Sequence, residues 1–116
     1  MLTATLPLGA GAPERLSMKA SPAVSFAPAN LVVRAMIEAD ADNRFVEIVA
    51  ESADFYRSSQ VQLEGETAPR TNQFEFRSLP PGTYEVRALL IGADGQPRAQ
   101  VRQTVNVIAG GMGDRN

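Results

Sequence analysis

Residues 79–88 have the sequence LPPGTYEVRA, residues 98–108 have the sequence RAQVRQTVNVI, and the turn-forming residues ADGQ lie between them at positions 93–96. Both segments alternate apolar and polar residues, which is the period of a strand with one buried face. An Asp-Gly pair between two such segments is a strong hairpin signal, because a type I′ turn needs positive φ at both central positions. The pattern predicts an antiparallel hairpin around which the rest of the chain is organised.

The predicted turn at Asp94-Gly95 also predicts the register of this hairpin. It places Arg87 opposite Arg102 on the polar face. The other face is nearly all apolar and consists of Tyr84, Val86, Ala88 and Leu90 against Val105, Gln103, Val101 and Ala99. A shift by one residue would exchange the two faces, so the alternation specifies a single register. Gln103 is the exception on the face predicted to be buried.

Composition limits the classes of function. The chain has 116 residues, of which 44% are hydrophobic and 21% are charged, and these values fit one globular domain. With a formal net charge of -2 it lacks the basic excess of nucleic-acid binders, so we expect no nucleic-acid partner. The absence of Cys and His excludes disulfides, thiol nucleophiles, His-assisted acyl transfer and zinc sites with those ligands. We therefore predict that the chain is not an enzyme and carries no cofactor.

The two ends of the chain show no sustained period. Residues 1–20 are predicted to be either a flexible N-terminus or a residual signal peptide, with the small residues AGA at 10–12 as its cleavage site. The signal-peptide alternative predicts an extracellular or periplasmic location. No run approaches the ~20 apolar residues that span a bilayer, so we expect no membrane insertion. Residues 109–116 are Gly-rich and are predicted to be a disordered tail.

Short alternating segments separated by turn residues fill the region between these ends. Besides the two hairpin strands, the pattern predicts strands at 24–26, 31–39, 44–51, 60–65 and 73–77. Residues 52–59 show neither period and are predicted to form a loop. About seven short strands without an amphipathic helix predict an all-β domain over residues 21–108, built as a two-sheet antiparallel β-sandwich.

The sequence FEFRSLPPGTYEV at 74–86 resembles a segment of bacterial extracellular immunoglobulin-like and fibronectin type III-like modules, in which two aromatics precede a Leu-Pro-x-Gly-x-Tyr turn. It also shows a partial likeness to carboxypeptidase-regulatory-like domains. The Thr-Asp-x-x-Gly expected for that subgroup is replaced by APRTNQ at 68–73, which favours a generic immunoglobulin-like sandwich. Independently of any family, Gly82 permits a tight entry, and Tyr84 can bury its ring while its hydroxyl caps a nearby backbone group.

The acidic loop at 40–43 is the first of three candidate sites. Asp40, Asp42 and Asn43, with Glu38 nearby, offer the oxygen ligands that Ca²⁺ requires. The same residue types are ordinary turn formers, because their side chains bond their own backbone. The Gly and the terminal Glu of a helix-loop-helix calcium site are missing, so the turn is the favoured interpretation.

The second candidate is an interaction face on the outer side of the hairpin sheet. Arg87 and Arg102 would repel each other there unless carboxylates such as Glu47 and Glu51 neutralise them. One interpretation is a solvated ion-pair lattice. The other is an apolar patch with a charged rim that binds a partner. The candidate face consists of Phe45, Glu47, Val49, Arg87, Leu89, Ile91 and Arg102.

The third candidate is a ligand loop formed by Asp54, Phe55, Tyr56 and Arg57. Its aromatics could stack on a sugar ring, or they could close the open end of the sandwich. The function predicted from these features is a non-enzymatic exported β-sandwich that acts as a protein-interaction or spacer module for an unknown protein partner. The alternative is a ligand-binding accessory domain, dependent on carbohydrate or Ca²⁺, that uses the loops at 40–43 and 54–57.

Overall fold

The computed structural model describes residues 15–110 of the chain. This part contains eight strands and a single turn of 3-10 helix at Gly65–Thr67. In chain order the strands are β1 (Leu16–Ser21), β2 (Val24–Phe26), β3 (Ala29–Ile37), β4 (Asn43–Glu51), β5 (Tyr56–Gln62), β6 (Thr71–Leu79), β7 (Gly82–Gly92) and β8 (Pro97–Ile108). Within residues 15–110, no helix is long and apolar enough to cross a membrane.

The strands form two sheets. A three-stranded sheet has the order β1-β3-β6, and a five-stranded sheet has the order β2-β8-β7-β4-β5. The predicted all-β, two-sheet architecture is confirmed. The prediction that every strand pair is antiparallel is wrong, because β2 pairs with β8 in parallel. β2 follows β1 of the other sheet and is not joined to β8 by a hairpin. Its connections therefore do not require an antiparallel pairing with β8.

The core lies between the two sheets and follows the predicted alternation. In β7, the four residues predicted to face inward, Tyr84, Val86, Ala88 and Leu90, are fully buried. One alternating set of residues in each of β3 and β4 is buried as well: Leu31, Val33, Ala35, Ile37, Val46, Ile48 and Ala50. Burial of one large apolar side chain contributes ~1.5–3 kcal/mol, so this shared inner layer is the main stabilising element.

The hairpin of β7 and β8 has the predicted register over most of its length. Arg87 lies opposite Arg102, and Leu90 lies opposite Ala99. The register then shifts between Leu90 and Ile91, because the turn differs from the predicted type I′ turn. Gly95 has a φ of 79°, whereas Asp94 has a negative φ. A turn with positive φ at its final glycine alone is the type I turn with a bulge.

Two side chains of the hairpin satisfy backbone groups elsewhere. Tyr84 donates its hydroxyl to the carbonyl oxygen of Pro80 at 2.7 Å, which confirms the predicted cap. Gln103, the polar exception on the inner face, makes two bonds to Ala20 of β1. Its Oε1 accepts the Ala20 N–H at 2.9 Å, and its Nε2 donates to the Ala20 carbonyl at 2.8 Å. The amide of Gln103 therefore links the two sheets along one side of the core.

Two boundaries differ from the prediction. The folded domain was expected to start at residue 21, whereas β1 spans Leu16–Ser21. The loop expected at 52–59 ends early, because β5 begins at Tyr56 and pairs with β4 along its whole length. The predictions for residues 1–14 and 111–116, including the cleavage site and most of the tail, lie outside the described residues.

Candidate functional site

The acidic loop at 40–43 is filled by an arginine. Arg98 of β8 donates from Nη1 to Asn43 Oδ1 at 2.7 Å and from Nη2 to Asp40 Oδ2 at 3.1 Å. Its Nε lies 3.3 Å from Asp42 Oδ2. Asp40 Oδ1 also accepts the backbone N–H of Asp42 at 2.8 Å, as a turn-forming aspartate does. The guanidinium thus takes the position that a cation would need, and the turn interpretation accounts for these acids.

The charge of Asp40 is stabilised by these contacts. The backbone N–H of Asp42, together with Arg98, lowers the pKa of the Asp40 carboxyl from its usual value. Asn43 anchors the loop from inside, because it is the only buried polar side chain among the described residues and donates to the Glu38 carbonyl at 2.9 Å. The contacts of Arg98 with this loop therefore hold the connection between β3 and β4 against the turn between β7 and β8.

The outer face of the five-stranded sheet carries the predicted pair Arg87 and Arg102, held by carboxylates. Arg87 lies 2.7 Å from Glu85 and 3.1 Å from Glu51, and Arg102 lies 3.1 Å from the second oxygen of Glu85. Arg87 lowers the pKa of Glu85, and Glu85 raises the pKa of Arg87. Glu85, two residues before Arg87 on β7 and diagonal to Arg102 on β8, has the neutralising role that we predicted for Glu47.

The apolar members of the predicted interaction face are less open than expected. Val49 is 3% exposed and Ile91 is 7% exposed, while Phe45 and Leu89 are half-buried. The register of β4, β7 and β8 places the seven predicted residues on one face. The parts of that face that water reaches are mainly the charged groups.

The predicted ligand loop divides into internal and exposed residues. The Phe55 ring packs edge-on against Tyr84, with centroids 6.0 Å apart. The Arg57 guanidinium lies 5.1 Å from the Phe55 centroid and donates to the Arg77 carbonyl at 3.0 Å. The half-buried Phe55 thus covers the end of the sandwich with Arg57 stacked on its ring, while Asp54, Tyr56 and Arg57 are exposed.

A groove on the outer face of the three-stranded sheet was missed by the sequence analysis. Its volume is about 370 Å³. Its lining consists of Lys19, Ser21, Val32, Arg34 and Met36. We call it the Lys19–Arg34 groove, because these two cations lie directly opposite each other on β1 and β3.

The two cations of this groove are not neutralised by the described residues around them. Every ion pair within residues 15–110 involves Arg77, Arg87, Arg98 or Arg102. Arg34 makes one long hydrogen bond, from Nη2 to Gln73 Oε1 at 3.4 Å. Like charges directly opposite each other on a sheet are unfavourable. A carboxylate on the same face, Glu75 opposite Val32, pairs with Arg77, so neither cation has an ion-pair partner among the described residues.

A weak signal for this groove exists in the sequence. Residues 16–21, LSMKAS, alternate apolar and polar positions and place Lys19 on the polar side. The alternation at 31–37 places Arg34 on the side opposite the core. What the sequence does not show is that these two strands are neighbours in this register.

No family model matches the chain, and no curated protein matches it. The fold is similar to that of a superoxide reductase (neelaredoxin) from Ignicoccus hospitalis, with 14% identity and a TM-score of 0.64 over 81% of this chain and 80% of the other. A variant of the same reductase has a TM-score of 0.62. A family 76 glycoside hydrolase from a bovine Bacteroides thetaiotaomicron strain matches with 15% identity and a TM-score of 0.56, over 79% of this chain and 20% of the other.

These similarities correct the fold family. The chain has the β-fold seen in superoxide reductase (neelaredoxin), and the immunoglobulin-like or fibronectin type III-like resemblance is wrong. The motif at 74–86 specifies only a local feature, namely the start of a hairpin strand with a tyrosine cap. It carries no information about the order of strands in the sheets, which distinguishes these folds.

The functional prediction that depended on that family is also wrong. A non-enzymatic exported interaction or spacer module was inferred from immunoglobulin-like domains, whereas the structures that share this fold are enzymes by name. At this identity the likeness shows the fold alone. The predictions that the chain is not an enzyme and is extracellular or periplasmic stay predictions.

The residues of this chain do not fit a redox metal centre with imidazole or thiolate ligands. The whole sequence contains no His and no Cys, the ligand types that bind iron and copper best. Within residues 15–110, no three Asp or Glu side chains converge in a way that could hold a metal ion.

Proposed function

We propose that the chain binds an organic anion in the Lys19–Arg34 groove. The anionic group would lie between the two cations, and an apolar part of the ligand would lie along Val32 and Met36. The observation that carries this proposal is the direct opposition of Lys19 and Arg34 without a described carboxylate partner.

Electrostatics supports an anionic occupant. Two cations held side by side raise the free energy of the empty sheet, and an anion between them adds two attractions that offset the one repulsion. Each attraction at an exposed site is worth only ~0.2–1 kcal/mol. The affinity should therefore depend on salt, because the Debye length is about 8 Å at physiological ionic strength.

The shape and lining of the groove support an apolar portion. Val32 and Met36 flank Arg34 at alternate positions of β3, so all three side chains lie on one face. Met36 is 45% exposed and can pack against a ligand without rearrangement of the core. The volume of about 370 Å³ lies in the range of small-ligand sites.

Thermal melts of the full chain with three probes test this proposal. Hexanoate carries both features of the proposed ligand, acetate carries only the charge, and hexanol carries only the apolar chain. We expect hexanoate to raise the melting temperature by mass action, and to do so more than either partial probe. Added salt should reduce the hexanoate effect.

Variants give the test its specificity. Lys19→Glu places opposite charges directly across from each other, so we expect it to abolish the hexanoate effect while stabilising the free protein by ~0.2–1 kcal/mol. Arg102→Gln is the matched control, because it removes an exposed arginine from the other sheet and should leave the hexanoate shift intact. A hexanoate shift that survives in Lys19→Glu, or no shift with the wild-type chain, would overturn the proposal.

A further inference from the structure

The two sheets have four edge strands, and three of these edges are obstructed. Strand β2 is only three residues long and lies between Pro22 and Pro28, which lack an N–H donor. On β1, the N–H and C=O of Ala20 are occupied by Gln103. On β6, the Arg77 carbonyl accepts Arg57, and the next residue, Ser78, distorts the end of the strand with a φ of 60°.

The fourth edge, β5, carries none of these obstructions in the described part of the chain. Tyr56–Gln62 pairs with β4 in an unbroken register, so the strand is regular along all seven residues. Its sequence, YRSSQVQ, contains no Pro and no Lys, the residues that commonly protect sheet edges. All seven side chains are exposed, including Tyr56 and Val61. The outward N–H and C=O groups of β5 are therefore accessible to another strand.

We infer that β5 pairs with β5 of a second copy of this chain, antiparallel and about a two-fold axis at Ser59, the central residue of the strand. The two five-stranded sheets then form one continuous sheet of ten strands. A two-fold arrangement closes with a single contact, because each copy presents the same edge to the other.

Matching faces and the absence of close like charges favour a second copy as the occupant. In this register Ser59 faces Ser59 of the second copy, Arg57 faces Val61, and Tyr56 faces Gln62, so every pair joins residues on the same side of the sheet. The aliphatic stem of Arg57 can pack on Val61. The two Arg57 residues lie four positions apart along the ladder, about 14 Å, which exceeds the Debye length in physiological salt.

Single-cysteine variants of the full chain test this register. The chain has no Cys of its own, so a disulfide can form only between the introduced residues. Directly opposed strand residues have Cα atoms about 4.5–5.5 Å apart, which suits a disulfide. Ser59→Cys should cross-link quickly under mild oxidation. Gln62→Cys is equally exposed on the same strand, but its two copies would lie about 20 Å apart, so it should cross-link only at the slow rate of random collision.

Charge variants at the same position give a second test in solution. We expect sedimentation to show a concentration-dependent dimer for the wild-type chain, monomers for Ser59→Lys and for Ser59→Asp, and a restored dimer when these two variants are mixed. Thermal melts of the separate variants establish that each one is folded. Equal cross-linking at positions 59 and 62, a wild-type chain that stays monomeric up to millimolar concentration, or undiminished dimers of both charge variants would overturn the inference.

Discussion

Gln103 is tolerated on an apolar inner face because its amide bonds the backbone of Ala20, as a neighbouring strand would. Ala20 is buried, and both of its outward backbone groups would lack a partner without this side chain. A buried, unpaired backbone group costs ~1–3 kcal/mol, which exceeds the gain from one more apolar side chain at a half-buried position. A polar side chain at position 103 is therefore more favourable than an apolar one, because it satisfies both outward backbone groups of Ala20.

We predict that Gln103→Leu destabilises the protein by about 2 kcal/mol or more, although it makes the inner face fully apolar. The reason is the loss of both bonds to Ala20. Urea unfolding monitored by circular dichroism measures the difference. Gln100→Leu, an exposed position three residues earlier on β8, is the control and should stay within ~0.5 kcal/mol of the wild type. Equal stability of Gln103→Leu and the wild type would contradict this account.

The position of Gln103 was visible in the alternation, but its partner was not. Ala20 lies 83 residues away in the chain. Only the packing of β1 over β8 brings the two together.

At the level of an element, the turn between β7 and β8 shows how local chemistry competes with tertiary contacts. Asp94 accepts the Gln96 N–H at 3.0 Å, and the Gly95 N–H bonds to the Gly92 carbonyl at 2.9 Å. The resulting bulge shifts Arg98 out of the simple register. In its observed position, Arg98 reaches all three polar side chains of the acidic loop.

Gly95→Ala tests the turn alone, because a Cβ at this position would meet no atom within 4 Å. We predict a loss of ~1–2 kcal/mol, which is the penalty for a left-handed backbone in a residue with a Cβ. Gly95→Asn should cost less, since asparagine tolerates this conformation better. Thermal melts of both variants provide the measurement, and an alanine variant at least as stable as the asparagine variant would contradict the assigned turn.

At the level of the whole molecule, the ionised carboxylates stabilise the fold at neutral pH, and this contribution is lost at acidic pH. The pKa values of Asp40 and Glu85 are lowered in the folded state, so the unfolded state binds more protons as the pH falls. Their contributions are complete above the ordinary carboxyl pKa and are lost below it. Since the chain has no His, no side chain with an ordinary pKa titrates near neutrality.

We therefore predict a melting temperature that is nearly constant between about pH 6 and 8 and decreases below about pH 4. Asp40→Asn and Glu85→Gln should each be less stable than the wild type at neutral pH, and the differences should shrink as the pH falls. Melts across a pH series measure both effects. A difference that grows toward acidic pH would have the wrong sign for this explanation.

The sequence alone determined most of the strands, the inner faces of β7 and β8, most of the hairpin register and the tyrosine cap, whereas it missed β1 and the first half of β5. These features depend on a period of two residues and on turn chemistry, which operate between residues close in the chain. The tertiary structure decided the order of the strands, the parallel pairing of β2, the bonds between Gln103 and Ala20, and the opposition of Lys19 and Arg34. Each of these joins segments that no hairpin connects, so their pairing depends on which sheet edges the rest of the fold leaves available.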